Sequence, residues 1–323
     1  MDVSVIIRAK NEALWLGTVL RSVRAQSGGH QVEIILVDSG STDQTVNIGM
    51  CYGCRVIHIR PDEFTWGRAL NLGAAAATGE VLVLLSAHAV PVGTAWLEQL
   101  LAPLQAPPVA AVMGRQIPIP GLDPFEEIEL ELWFPPLEAP KQVSSISSAS
   151  AAIRRNVWQE IRFDETLSLD EDGEWARAAM ACGHQIMYAP HSVVWHSHPA
   201  CVDTVYRRWF WRSYVIHSRA GEKPSSARHL ARFVKRDVRY FLTHRCFSYL
   251  GWIPVYEFVR QGGFWAGRRA ALSRARAGSD EPWGYCALTI PQAMLRLEPA
   301  FARIRRITPK DAVRMLERQI EEG

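Results

Sequence analysis

The sequence predicts an α/β fold, a doubly wound and mostly parallel sheet followed by a C-terminal helical extension. Short apolar runs at residues 3–7, 33–37, 55–59 and 81–85 have the length and composition of buried strands. Between the first two, Leu14, Leu16, Val19, Leu20 and Val23 recur at helical spacing, and strand, helix, strand, helix, strand marks a parallel wound sheet. From about residue 203 basic and aromatic residues interleave at helical spacing instead. The charge follows the same division: residues 1–200 carry a net −9 and residues 201–323 a net +12, so the two parts are expected to meet different partners. At 323 residues, 48% hydrophobic and 21% charged, the chain suits a soluble globular protein rather than a disordered one.

In chain order, residues 3–7 form the first strand and residues 8–12 the loop leaving it. A helix over 13–23 ends before Gly28 and Gly29. The second strand runs into Asp38-Ser-Gly-Ser-Thr-Asp43, whose small residues permit a tight turn and whose Ser, Thr and Asp side chains cap the next helix. The run 81–85 stops at Ser86-Ala87-His88 before Pro91, as a buried strand does where it opens into a site, which puts His88 at a strand's carboxyl end. The competing reading is a membrane helix over the uncharged run 81–97, which is short and broken by Pro91 and Gly93. Residues 103–123 read as a proline-rich connection holding a strand at 109–113. Residues 125–133 read as a helix exposing Glu126, Glu127, Glu129 and Glu131 to solvent, and 309–322 as a surface helix. There is no Gly-x-Gly-x-x-Gly after the first strand and no Walker lysine motif, so neither dinucleotide nor P-loop chemistry is suggested. The six cysteines, Cys51, Cys54, Cys182, Cys201, Cys246 and Cys286, read as thiols. Cys51-x-x-Cys54 has redox or zinc spacing but lacks a second pair, and a helix end with a glycine turn accounts for it. No basic start with a long apolar core follows Met1, so the N-terminus is expected to stay cytosolic.

Four motifs agree in order and spacing: VSVIIRAKNE at 3–12, ILVDSGSTD at 35–43, FTWGRALNLG at 64–73 and the segment from Gly79 to Pro91. Together they resemble the nucleotide-binding half of a family-2, GT-A-fold glycosyltransferase over roughly residues 1–200. The resemblance implies a nucleotide-sugar-binding half at 1–105, an acceptor half at 106–200 and a basic, aromatic-rich extension at 201–323. It implies a nucleoside-diphosphate donor of the UDP or dTDP type, held by Arg8, Asn11, Glu12 and Asp38, with Arg68 and Asn71 near the phosphate or sugar. A carboxylate such as Asp38 is a sound acceptor for a base imide, although an Asp at a strand end is often only a cap; Asp43 reads as a cap.

Where the family has Asp-x-Asp for Mg or Mn, this chain has Ser86, Ala87 and His88, which places these three at the donor sugar and phosphate. Loss of both carboxylates weakens a hard-cation site, and an imidazole ligand favours Mn or a later metal over Mg. His196-x-His198 on a strand would put both rings on one side, and either could join His88 in a rebuilt metal site; two surface histidines are the alternative. In Leu169-Asp-Glu-Asp172-Gly-Glu-Trp175, Asp172 falls on the family's general base, with Glu171 and Trp175 on the acceptor side. The same acids also serve as caps for the following helix. The overall pattern leans toward rhamnosyltransferase-like members acting on a glycan or lipid-linked glycan in polysaccharide biosynthesis. The helical region 203–265 fits peripheral contact with an anionic inner leaflet, though its aromatics equally fit an ordinary core. Basic, aromatic surfaces also attract single-stranded nucleic acid, but no such motif is present and none is expected as partner. The rival reading is an inactive nucleotide-sugar-binding scaffold that has lost metal chemistry with Asp-x-Asp.

Overall fold

The computed structural model describes residues 2–167, 169–220, 226–277 and 288–322. The chain divides into two compact units: Met1–Pro118, Leu130–Ser197 and Lys310–Gly323 form the first, and Ile119–Glu129 with His198–Pro309 the second. The last helix thus belongs to the first unit, and a short piece around residue 125 belongs to the second.

In the first unit the elements run β1 (Asp2–Ala9), α1 (Ala13–Arg24), β2 (Gln31–Asp38), α2 (Thr45–Cys51), β3 (Arg55–His58), α3 (Trp66–Ala76), β4 (Val81–Ser86), β5 (Val90–Pro91), α4 (Trp96–Leu101) and β6 (Val109–Ile117). After α5 (Pro124–Trp133), whose first half belongs to the second unit, come β7 (Lys141–Val143), β8 (Ser150–Arg154), α6 (Arg155–Glu160), α7 (Glu171–Ala181) and β9 (Gln185–Trp195). Among the described residues the strands make one nine-stranded sheet ordered β3-β2-β1-β4-β8-β6-β9-β5, with β7 on β9. β1, β2, β3, β4, β6 and β9 run one way, and β5, β7 and β8 the other. β1 is central because its run Val5-Ile6-Ile7 is apolar on both faces; Ile6 sits beside Ile35 of β2 and Leu84 of β4, all buried. Helix α3 lies close on this sheet: a Cβ at Gly73 would stand 2.4 Å from Ile6 Cγ2. The uncharged run 81–97 is therefore a strand, a turn, a second short strand and the start of α4. No helix among the described residues is long and apolar enough to cross a membrane. Cys51 ends α2 and Gly53 turns with φ of 71°; Cys51, Cys54, Cys182, Cys201 and Cys246 are free thiols, and Cys286 lies outside the described residues.

The second unit holds α8 (Val202–Ala220), α9 (Ser226–Thr243), a 3-10 turn (Phe247–Trp252), α10 (Ile253–Ala277), α11 (Gln292–Leu295) and α12 (Glu298–Ile304). Its core is aromatic: Phe125 stacks on Tyr256 at 4.0 Å between ring centroids and meets Phe241 edge-on at 5.1 Å. Tyr206, Trp209, Phe210 and Trp211 are buried with them, so the aromatics of α8 pack inward rather than toward a membrane. The acids of α5 also differ from expectation. Glu126 and Glu129 are 5% and 3% exposed, because arginines of α8, α9 and α10 meet them. Glu126 pairs with Arg208 and His198; Glu129 lies 2.7 Å from Arg212 and 3.5 Å from Arg260. Arg260, fully buried, also contacts Asp237 and Glu257. Burial raises the carboxyl of Glu126, but Arg208 and then His198 outweigh it and hold the group below the usual carboxylate range.

The final helix α13 (Pro309–Glu322) is a surface helix that buries Ala312, Val313 and Leu316, and its Glu317 accepts from Thr18 Oγ1 at 3.2 Å, which ties it to the first unit. In the second unit, Arg260→Met would leave Glu129, Asp237 and Glu257 without their shared cation. We expect a loss of about 3–5 kcal/mol in urea unfolding of the intact chain, as for other broken buried ion networks; a loss under about 1 kcal/mol would show that the remaining arginines suffice.

Candidate active site

The sheet brings the carboxyl ends of β1, β2, β4, β6 and β9 to one edge. In register, Arg8 stands beside Ser86 and Val37, and Ala9 beside Asp38. This is the edge at which open α/β sheets bind ligands.

The acidic end of α7 meets it. Arg8 donates to Glu171 Oε1 at 3.0 Å and to Ser148 Oγ at 2.7 Å, and its guanidinium lies over the Trp66 ring at 4.6 Å. Asp170 enters the helix in the left-handed region, φ of 67°. Asp172 accepts from the Ser148 backbone N–H at 2.9 Å and from Gly173 N–H at 2.8 Å. Glu171 is 3% exposed whereas Asp172 keeps part of its surface open. Burial, then the neighbouring Asp172, push the Glu171 carboxyl up to about 7 against the pull of Arg8. Burial also raises Asp172, with Asp170 adding to it and the Ser148 amide and Arg8 opposing. Of the two acids, Glu171 is held in a pair with Arg8 and Asp172 is the more open.

The histidines form the second feature. His88 and His196 stack with ring centroids 5.0 Å apart and planes 13° from parallel. His88 Nδ1–H donates to Glu12 Oε1 at 3.0 Å, and His196 Nδ1–H to Gln116 Oε1 at 2.7 Å; Gln116 is oriented by donating its own Nε2–H to Ser147 Oγ at 2.9 Å. Each contact puts a proton on Nδ1 and supplies the outer partner usual for a metal-ligating histidine. His198 follows the same pattern in the second unit, its Nδ1–H on Glu126 Oε1 at 2.9 Å. The stacked pair His88 and His196 is a donor set that fits a divalent cation, and imidazole ligands suit Mn or a later metal better than Mg. β9 ends at Trp195, so His196 and His198 lie beyond the strand and do not share a strand face as the spacing had suggested.

Several expected nucleotide contacts have other work. Asn71 is 5% exposed and its amide is fully engaged: it donates to Phe163 O and Glu165 Oε1 and accepts from Trp158 Nε1 and Phe163 N–H, so it joins α3 to the segment before α7 and has no capacity for a ligand. Trp175 is core, its indole N–H on Ile161 O at 2.6 Å, and is not on the acceptor side. Arg68 pairs at the surface with Glu63 and Glu165. Asn11, φ of 57°, accepts from Thr42 N–H and fixes the loop after β1 against the loop after β2. Asp38 accepts from the amides of Gly40 and Ser41 and lies 3.5 Å from His58 Nδ1; Asp43 caps α2 through Thr45. Ala87 is buried, and Ser86 Oγ lies 3.4 Å from the His88 ring. Sequence reasoning missed Ser148 and Gln116: the small polar run at 144–152 points to the first, and nothing in β6 singles out the second.

The Glu171 carboxyl gives the stability a defined pH dependence. Between its ordinary value of 4.5 and about 7 the folded chain holds a proton that the unfolded chain has lost. Its stabilising contribution is thus complete below that window and disappears as pH rises through it. Glu171→Gln should flatten this part of a melting-temperature profile, and an unchanged slope would assign the dependence to other groups.

Residues 4–158 match the sequence profile of glycosyl transferase family 2. The chain is 28% identical over 244 residues to the O-antigen chain rhamnosyltransferase WbaN of Salmonella anatum, covering 69% of this chain and 74% of that protein. It is 26% identical over 277 residues to the O-antigen chain rhamnosyltransferase RfbN of Salmonella typhimurium, covering 79% and 84%. In fold it resembles the mannosyltransferase PcManGT from Pyrobaculum calidifontis, solved in complex with GDP-Man and Mn2+, at a TM-score of 0.54 and 18% identity over 99% of this chain and 84% of that one. The strand order, the polar edge at the carboxyl ends and these similarities agree: the sheet has the GT-A fold, residues 4–158 match the family-2 glycosyltransferase profile, and the protein is a glycosyltransferase.

Proposed function

We propose that the protein moves a sugar, of the rhamnosyl kind, from a nucleoside-diphosphate donor of the UDP or dTDP type to a hydroxyl of a glycan or lipid-linked glycan, in a single inverting displacement. The observation that carries this reading is the Asp172 carboxylate, partly open at the amino end of α7, anchored by the Ser148 and Gly173 amides and raised by burial. The names of the two O-antigen relatives support the sugar and the polysaccharide acceptor. In the displacement Asp172 takes the proton of the acceptor hydroxyl as its oxygen bonds to the anomeric carbon, and the bond from that carbon to the diphosphate breaks with its electrons passing to the leaving nucleoside diphosphate. Asp38, oriented by the Gly40 and Ser41 amides, accepts the N3–H of the base. Arg8 holds Glu171, and through it the register of α7, so that Asp172 faces the edge of the sheet. His88 and His196 would hold a divalent cation, Mn or a later ion, which would supply charge neutralisation for the departing diphosphate. Glu12 and Gln116 keep the two rings of the first unit in the ligating tautomer. A lipid-linked acceptor places the protein at the cytoplasmic face of a membrane as a peripheral enzyme.

Calorimetric titration with UDP, dTDP, GDP and CDP, with and without Mn2+, tests the donor. Asp172→Asn should cut transfer by about 10²–10⁴-fold while donor affinity stays unchanged; retained turnover would remove Asp172 from the role of base. His88→Ala should weaken nucleoside-diphosphate binding in the presence of Mn2+ and leave metal-free binding as it was. An equal loss with and without the ion would reassign His88 to direct donor contact, and tight nucleotide binding without turnover in the unaltered protein would favour an inactive scaffold.

A further inference from the structure

Within the region 203–265 that suggested membrane contact, the aromatics of α8 are buried, whereas α9 and the turn after it present the exposed chemistry. Along α9, Phe233, Asp237 and Phe241 turn inward: Phe233 meets Trp209 at 5.0 Å, Asp237 pairs with Arg260, and Phe241 meets Phe125. Arg232, Lys235, Arg239 and Leu242 occupy the opposite stripe at spacings of three and four residues, and all four are exposed. Among the described residues none of these three cations takes part in an ion pair. Beyond the helix, Arg245 is exposed, and Leu242 and Phe247 stand 49% and 57% open to solvent. Arg306 brings a further cation to the same corner, donating to Ser248 Oγ at 2.8 Å and lying over the Tyr249 ring. Residues 226–256 contain six Arg or Lys and a single acid, Asp237, which is fully buried, so no negative side chain of this segment reaches its surface.

We propose that this stripe and corner form the face by which the protein docks on an anionic bilayer, with the cations on phosphate headgroups and Leu242 and Phe247 inserted among them. The occupant follows from the charge: a face of cations with no exposed acid in its segment, tipped by two large apolar side chains, complements a negatively charged lipid surface and leaves the apolar tip without use in water. An amphipathic helix lying in the interface would bury its apolar side in lipid. Here that side is already spent on the protein core, so binding rests on electrostatics and a two-residue tip, and is reversible. The inference rests on the proposal that the acceptor is lipid-linked, since a peripheral transferase then needs a membrane-facing side.

Sedimentation of the full chain with vesicles of phosphatidylcholine alone, or mixed with phosphatidylglycerol, tests this. Binding only to the anionic vesicles, weakened by salt, is the expected result. The variant carrying Arg232→Glu, Lys235→Glu and Arg239→Glu should bind at least about tenfold more weakly. Leu242→Ser with Phe247→Ser should keep low-salt binding and lose the fraction that survives raised salt. Both variants should retain nucleotide affinity and transfer to a soluble acceptor fragment, which separates failure of this docking face from failure of the transferase reading. Equal binding to both vesicle types, undiminished binding by the charge-reversed variant, or tighter binding to single-stranded RNA than to anionic vesicles would overturn the proposal.

Discussion

Two neighbouring carboxyl groups buried at the start of one helix repel each other and lose hydration, and the arrangement persists only where a cation meets them. Arg8 is that cation. It sits near the end of the central strand, so a single guanidinium joins β1 to α7 through Glu171 and to the loop before β8 through Ser148. These partners lie 163 and 140 residues away along the chain. The planar fork of arginine suits this task because it donates in two directions at once, and its flat face stacks on Trp66. The amino end of α7 adds its own partial positive charge beneath the same acids. With Glu171 held by Arg8, Asp172 is the more open carboxyl of this pair.

The second unit solves a related problem on a larger scale. Its buried carboxylates outnumber what any one arginine could satisfy, and the cations come from three helices: Arg208 and Arg212 from α8, Arg236 from α9 and Arg260 from α10. Such a network is costly to desolvate and adds little net stability over an apolar core of the same shape, but it permits few alternative packings. His198 belongs to it through Glu126, so the orientation of this ring is set by the same carboxylate that pairs with Arg208.

The strands were legible because their signal is local: β1, β2 and β4 announce themselves as unbroken apolar runs that stop at polar residues. The cap role of Asp43 and the turn at Gly53 are local too. What could not be read depended on partners far along the chain. Nothing near Asn71 indicates that Phe163 and Trp158 would consume its amide, and nothing near Glu129 points to Arg212, 83 residues later. The acids of α5 have the spacing of a solvated face whether or not arginines arrive to cover them. The histidines were found as residue types at the right places. That the strand ends at Trp195, and that Glu12 and Gln116 select the tautomers, required the three-dimensional fold.

The return of α13 to the first unit has a consequence for the order in which the protein is made. Synthesis proceeds from the amino end, so β1 through β9 leave the ribosome before residues 198–309 and the closing helix after them. Thr18 on α1 waits for Glu317, and the apolar side chains that Ala312, Val313 and Leu316 cover stay exposed until then. The catalytic unit is thus left unfinished on the nascent chain while the helical unit is translated, and incomplete sheets with open apolar surface are the species on which chaperones act.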